Sequence, residues 1–382
     1  MRTVLSYQSL AATAHAPRAS LASRTAFIGS IAFLWLLLVS VAAGDDQGPW
    51  IRPQNAGDPL IWGRRDGILF GLPSEGGLPG PRGLVRVGVL SRDTGRPQLL
   101  NFIAVEPVVL GPGRRFDRMA FSELERSTLD GGIAGKRLWV DPATDFRGVL
   151  STVAESPRRI ERLSVRIDIE QFAANGARVY LIASIDSDRP SELDLAVFQV
   201  RDSPALEELT LTATMGNFER LRWLFLKNRV VDSRILFNGE TGDAFFEHEN
   251  YPLEEMLRSA DGNAIALCAT DEPIPSSEMN TPSTFWRYPL HRITQYWKVP
   301  AQFIEPDLRV RVNGRRSYWG SHQPVPNGVA FENFELRQRY RPGQVFVFGV
   351  TPAEPWAFEP PIPRLRRPDP DSGSATKTSQ PD

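Results

Sequence analysis

The sequence predicts an all-β protein, a large antiparallel β-sandwich with a few short helices. Three observations carry this. Runs of β-branched and aromatic residues repeat with a period of two. Gly- and Pro-rich stretches interrupt them at short intervals, as in Gly71–Gly83, Asp271–Pro275 and Gln323–Gly328. Between these breaks little shows the 3.6-residue period of a helix.

The elements follow in chain order. Leu84–Leu90 (LVRVGVL) reads as a strand, and Asn101–Leu110 as another in which Pro107 marks an edge or a bulge. Phe121–Thr128 reads as a short helix. Leu163–Phe172 is the clearest strand: Val165, Ile167 and Ile169 alternate with Arg166, Asp168 and Glu170, so one face is wet. Asn175-Gly176 then separates it from Arg178–Asp186, a hairpin signal because both residues accept positive φ. Leu193–Val200, Glu208–Thr214 and Leu221–Leu226 continue at the spacing of a meander or sandwich. Pro252–Ser259 opens with Pro at a first-turn position and reads as a second short helix.

The first 44 residues carry Arg2, Arg18 and Arg24 and no acidic residue, and they contain the uncharged run Ala26–Ala43. That layout keeps the N-terminus in the cytoplasm and sends the rest across a membrane. Small residues at Val41 and Ala43, or Ala42 and Gly44, suit cleavage of a signal peptide. The run is also just long enough, at roughly 27 Å of helix, to stay as an anchor. The chain therefore divides into residues 1–44 (signal peptide or membrane anchor), 45–358 (one large β-sandwich domain) and 359–382 (a disordered Pro- and Ser-rich tail). The expected location is outside the cytoplasm: periplasmic, extracellular, or anchored and facing outward.

Composition narrows the function. The net charge is −1 from 44 basic and 45 acidic residues, which argues against a nucleic-acid partner. Cys268 is the one cysteine, so no internal disulfide forms and no cysteine-based zinc site exists. Phosphate-loop, Gly-x-Ser-x-Gly, His-Glu-x-x-His and dinucleotide fingerprints are all missing. Glu247-His248-Glu249 has metal-ligand types, but neighbours on an extended chain point to opposite faces. No metal and no cofactor are expected.

Two stretches carry candidate binding chemistry. Phe285–Trp297 surrounds His291 with Trp286, Tyr288, Tyr296 and Trp297. Flat aromatic faces with Arg and His beside them suit sugar rings, and the same rings also suit the core of a sandwich. Asn217–Leu226 places Arg220 and Arg222 on one strand face and Leu221, Trp223 and Phe225 on the other. Paired arginines either clamp an anionic group or answer acidic side chains of the protein.

Asn327–Val350 (NGVAFENFELRQRYRPGQVFVFGV) resembles the closing segment of galactose-mutarotase-like supersandwich proteins, with Arg341-Pro342-Gly343 opening the last strand. The resemblance implies a β-supersandwich and a catalytic base at Glu332, after Val329, Ala330 and Phe331. Glu335, further along the same strand, faces the other way or lies past a bulge. The acid would be His291, or His322 in its place.

The sequence thus points to an exported carbohydrate-binding or carbohydrate-active protein of the epimerase, lyase or hydrolase class. Glu332 and His291 would be catalytic, and Arg220, Arg222, Trp286, Tyr296 and Trp297 would line a cleft for a glycan or polysaccharide. The alternative is a non-catalytic cell-envelope scaffold or interaction protein tethered to the membrane by its N-terminal segment.

Overall fold

The period-two runs become strands. The computed structural model describes residues 48–72, 83–91, 94–109, 137–140, 146–155, 157–214, 220–270, 293–318 and 323–351, all within one compact unit, Gly48–Asp382. The first strands are β1 (Trp50–Ile51), β2 (Ile61–Arg64), β3 (Ile68–Gly71), β4 (Val85–Leu90), β5 (Pro97–Val109), β6 (Leu138–Trp139) and β7 (Val149–Ala154). Next come β8 (Ile160–Ile169), β9 (Val179–Asp186), β10 (Glu192–Gln199), β11 (Leu206–Thr214), β12 (Leu221–Phe225) and β13 (Val230–Asp232). After the single turn of α1 (Ser233–Leu236) follow β14 (Glu249–Pro252), β15 (Leu257–Arg258), β16 (Ala264–Thr270) and β17 (Thr294–Val299). The last three are β18 (Arg309–Arg315), β19 (Ala330–Arg339) and β20 (Val345–Thr351).

All pairings among the described residues are antiparallel, and the fold is an all-β sandwich. One layer runs β1-β2-β3-β4-β5-β11-β19-β18-β14. The other runs β13-β12-β16-β17-β20-β10-β9-β8-β7, with β6 beside β7 on β8 and β15 on β16. A lone pair, Leu221 opposite Phe331, joins β12 to β19 and makes the corner between the layers.

Side chains facing across the gap show why the layers close. Leu209, Leu211, Phe334 and Leu336 of the first layer meet Val165, Ile167, Leu181, Leu195 and Phe348 of the second in one buried cluster. Each such side chain contributes roughly 1.5–3 kcal/mol of burial. Polar bridges fix the alignment: Trp297 Nε1–H on β17 donates to the Phe334 carbonyl of β19 at 2.9 Å. At the far end, Trp50 Nε1–H of β1 donates to Glu161 Oε2 of β8 at 3.1 Å.

Pro107 sits where β5 has run past β4 and pairs with β11 alone, opposite Leu209, next to a register shift at Leu206/Glu208. A residue without an N–H fits such a position. β8 and β9 do pair antiparallel around Asn175-Gly176. Gly176 has φ 78°, and Asn175 accepts from Ala177 N and donates to the Pro107 carbonyl.

Two expectations change. Pro252–Ser259 is not a helix: a single 3-10 turn, Leu253–Glu255, leads into β15. Met256 is fully buried and Leu257 pairs with Ile265, so packing and pairing override the local helical preference. On β12 the alternation slips: a bulge between Leu221 and Trp223 sends Leu221 and Leu224 into the main core and Trp223 and Phe225 into a second cluster. The short helix read at 121–128 and the termini lie outside the described residues.

Candidate functional site

The first layer has a polar outer face that is almost entirely buried. On β11, Leu209, Leu211 and Ala213 point to the core, so Glu208, Thr210, Thr212 and Thr214 share the opposite face. The paired strands add Arg337, Glu335 and Asn333 from β19 and Arg309, Arg311 and Asn313 from β18.

A bulge decides where Glu332 points. On β18, Val312 pairs with Phe334 and Gly314 with Phe331, so Glu332 and Asn333 together oppose Asn313. Asn313 Oδ1 accepts the Asn333 N–H at 3.0 Å and holds the irregularity in place. Phe331 and Phe334 can therefore both enter the core. Glu332 turns to the polar face, where its Oε1 accepts from the Thr214 hydroxyl at 3.5 Å. Glu335 lies opposite Thr212 on that same face. Thr212 and Thr214 are two residues apart, so the two glutamates are anchored about 7 Å apart.

Glu335 is the centre of an ordered charge cluster. His248 Nε2–H donates to its Oε1 at 3.0 Å, and Arg311 Nη1 lies 3.3 Å from its Oε2. Burial alone would raise the Glu335 pKa. The hydrogen bond and charge of His248, with the charge of Arg311, outweigh it and hold the carboxyl below its ordinary value. Glu335 is 2% exposed, whereas the His248 side chain is 28% exposed and opens to solvent. Further along the face, Arg337 Nε donates to Glu208 Oε2 at 2.6 Å and Arg309 reaches the same carboxylate at 3.4 Å.

The residues singled out from the sequence separate. Glu332 belongs to this polar face. Arg222 answers main-chain carbonyls: its Nη1 donates to the Gly328 carbonyl at 3.0 Å, and its guanidinium also holds the carbonyls of Val329 and Pro326. It fixes the turn that feeds β19, whose Asn327 and Gly328 both have positive φ. Arg220, just ahead of β12, is buried.

Trp297 is enclosed in the core, edge-on to Phe348, and offers no face to a ligand. Tyr296 lies on the outer face of the second layer with its ring over Gly349, where a Cβ would fall 1.9 Å from Cζ. Its hydroxyl donates to Glu192 Oε1 at 3.0 Å, and the Lys298 ammonium bonds the same carboxylate. Burial first, then Glu192, raises the phenol pKa far above its usual value. Trp286, His291 and His322 lie outside the described residues.

His248 and Arg311 carry chemistry that the sequence reading missed. The signal for Arg311 was present as Arg309-Val310-Arg311-Val312-Asn313 and Asn333-Phe334-Glu335-Leu336-Arg337, two period-two runs in which Arg311 comes to stand opposite Glu335. Among the described residues no group of three or more His, Cys, Asp or Glu side chains is placed to hold a metal ion. No described helix is long and apolar enough to cross a membrane. No family model, curated protein or solved structure matches the chain, so the chemistry of the face rests on its own side chains.

Proposed function

We propose that the chain is an exported carbohydrate-active protein whose ligand meets the polar face of β11, β19 and β18. Glu332 serves as general base and His248 as the acid, a role that sequence reading gave to His291. The observation that carries the reading is that Glu332, Glu335 and His248 share one face, with His248 alone among them opening to solvent.

The chemistry fits. Epimerisation, lysis and hydrolysis of sugars each need a proton removed at one atom and delivered at another. An imidazole backed by a buried carboxylate keeps one orientation and tolerates the positive charge it takes up between those steps. Asn333, Asn313, Thr212 and Thr214 lie buried on the same sheet face and are hydrogen-bonding groups of the kind sugar hydroxyls require.

A second reading, a cell-envelope scaffold tethered by its N-terminal segment, is favoured by a different observation. The buried charges answer one another, Glu208 with Arg337 and Arg309, Glu335 with Arg311 and His248. Arg222, Tyr296 and Trp297 are engaged within the protein.

A glycan array probed with the full chain tests the first reading, followed by incubation of any retained oligosaccharide and analysis for epimerised, unsaturated or shortened products. Glu332→Gln and His248→Asn are expected to keep retention and to lower product formation at least a hundredfold. Retention without products in the unaltered chain would reduce the role to binding. No retained glycan would overturn the reading in favour of the scaffold.

A further inference from the structure

The second layer ends in β7, and this edge differs from the rest of the described surface. Of the large apolar side chains exposed among the described residues, Val149, Leu150 and Val153 stand on this one strand, at 59%, 37% and 46% exposure. Among the described residues β7 pairs with β8 alone, and no described strand pairs with its other edge. The six residues Val-Leu-Ser-Thr-Val-Ala contain no charge, no proline and no glycine.

Edge strands of soluble proteins usually carry lysine, proline or inward-pointing charge, which discourage pairing with another chain. β7 has none of these. A register shift between Thr152 and Ala154 bends its end, but Val149–Thr152 runs in regular register with β8. Such a strand is a ready template for strand addition.

The flanks indicate which strand is added. Arg147 precedes β7 and Glu155 follows it, both exposed. If a second β7 lies antiparallel about Ser151, Val149 faces Val153, Leu150 faces Thr152, and Ser151 faces its own copy. The Arg147 end of each copy then lies beside the Glu155 end of the other, twice by symmetry. A parallel pairing would set like charges together at both ends. An antiparallel two-fold pairing is also the closed arrangement that leaves no further edge of this kind open.

We propose that β7 is a homodimer interface, in which two copies of this chain join by antiparallel pairing of Val149–Ala154 about Ser151. The pairing continues the second layer from one copy into the next. It rests on the edge alone and is independent of the polar face.

The test uses the full chain in mild detergent. Cys268 is buried, so a cysteine introduced at Ser151 is the one accessible thiol. Directly opposed residues of antiparallel strands have Cα atoms about 4.5–5.5 Å apart, within disulfide reach. Ser151→Cys is expected to yield a covalent dimer under mild oxidation, and Thr241→Cys, exposed elsewhere, is expected to stay largely monomeric.

Sedimentation of the unaltered chain is expected to show a concentration-dependent dimer. Leu150→Lys should raise its dissociation constant at least about tenfold. Arg147→Glu should weaken the dimer several-fold, and adding Glu155→Arg should restore it. A monomer at every concentration overturns the proposal. So does a dimer indifferent to Leu150→Lys and not captured by Ser151→Cys, because it would use another surface. Cross-linking of Ser151→Cys to a different protein, with the purified chain monomeric, overturns it in favour of a heterologous strand.

Discussion

His248 donates through Nε2 to Glu335 Oε1 at 3.0 Å, so an imidazole open to solvent is backed by a carboxylate that has almost no solvent contact. The ion pair with Arg311 on β18 completes the cluster. Its members come from three neighbouring stretches of the first layer, and removing one would leave a buried charge without its answer.

The Glu335 pKa gives this cluster a pH signature. Its folded pKa lies below the ordinary carboxylate value, so its contribution to stability is present above the unfolded pKa, near 4.3, and is lost as pH falls through the folded value. Glu335→Gln should therefore be clearly less stable than the unaltered chain at pH 7. The gap in urea midpoint should narrow steadily below about pH 4. A gap that stays constant with pH would show that the charge of Glu335 does not stabilise the fold.

Arg222 should behave as a structural clamp. Arg222→Lys keeps the charge but cannot reach the carbonyls of Pro326, Gly328 and Val329 together. The expected loss is about 3 kcal/mol, with faster amide exchange at 326–329 than elsewhere. Unchanged stability would mean that the turn holds its shape without the guanidinium.

Gly349 and Tyr296 should be energetically coupled. A Cβ at position 349 would overlap the phenol ring, so Gly349→Ala is expected to lower stability by about 2 kcal/mol. Combined with Tyr296→Ala, most of that penalty should disappear in a double-mutant cycle of thermal unfolding. Additive losses would contradict the contact.

Cys268 should be chemically silent in the native protein. It is buried on β16, and burial raises its thiol pKa well above the usual value. A thiol reagent should react only at the rate of unfolding, and promptly in denaturant. Fast labelling of the native chain would place Cys268 elsewhere.

The sandwich was legible because its strands obey simple periodicity: β8, β9, β10 and β11 overlap the runs read at 163–172, 178–186, 193–200 and 208–214, with β8 starting and ending three residues earlier. The site was harder to read for a physical reason. Trp297 and Tyr296 have the composition of a sugar platform, yet which face each takes depends on strands far away in sequence, β19 for one and β20 for the other. His248 looked like a poor metal ligand beside Glu247 and Glu249. Its true neighbour is 87 residues away, brought there by the pairing of β14 with β18 and of β18 with β19. Local sequence marks which residues are polar, and pairing decides which of them meet.

The bulge at Glu332 and Asn333 has a consequence for inheritance. Residues three apart on a regular strand point in opposite directions, so Glu332 and Glu335 share a face through one extra residue. Upstream of it Phe331 is keyed to Leu221 at the corner, and downstream Phe334–Arg339 is keyed to β11. Deleting a single codon here would restore an ordinary ladder while rotating one of these halves out of phase. Across its descendants this stretch should therefore accept almost no change in residue number.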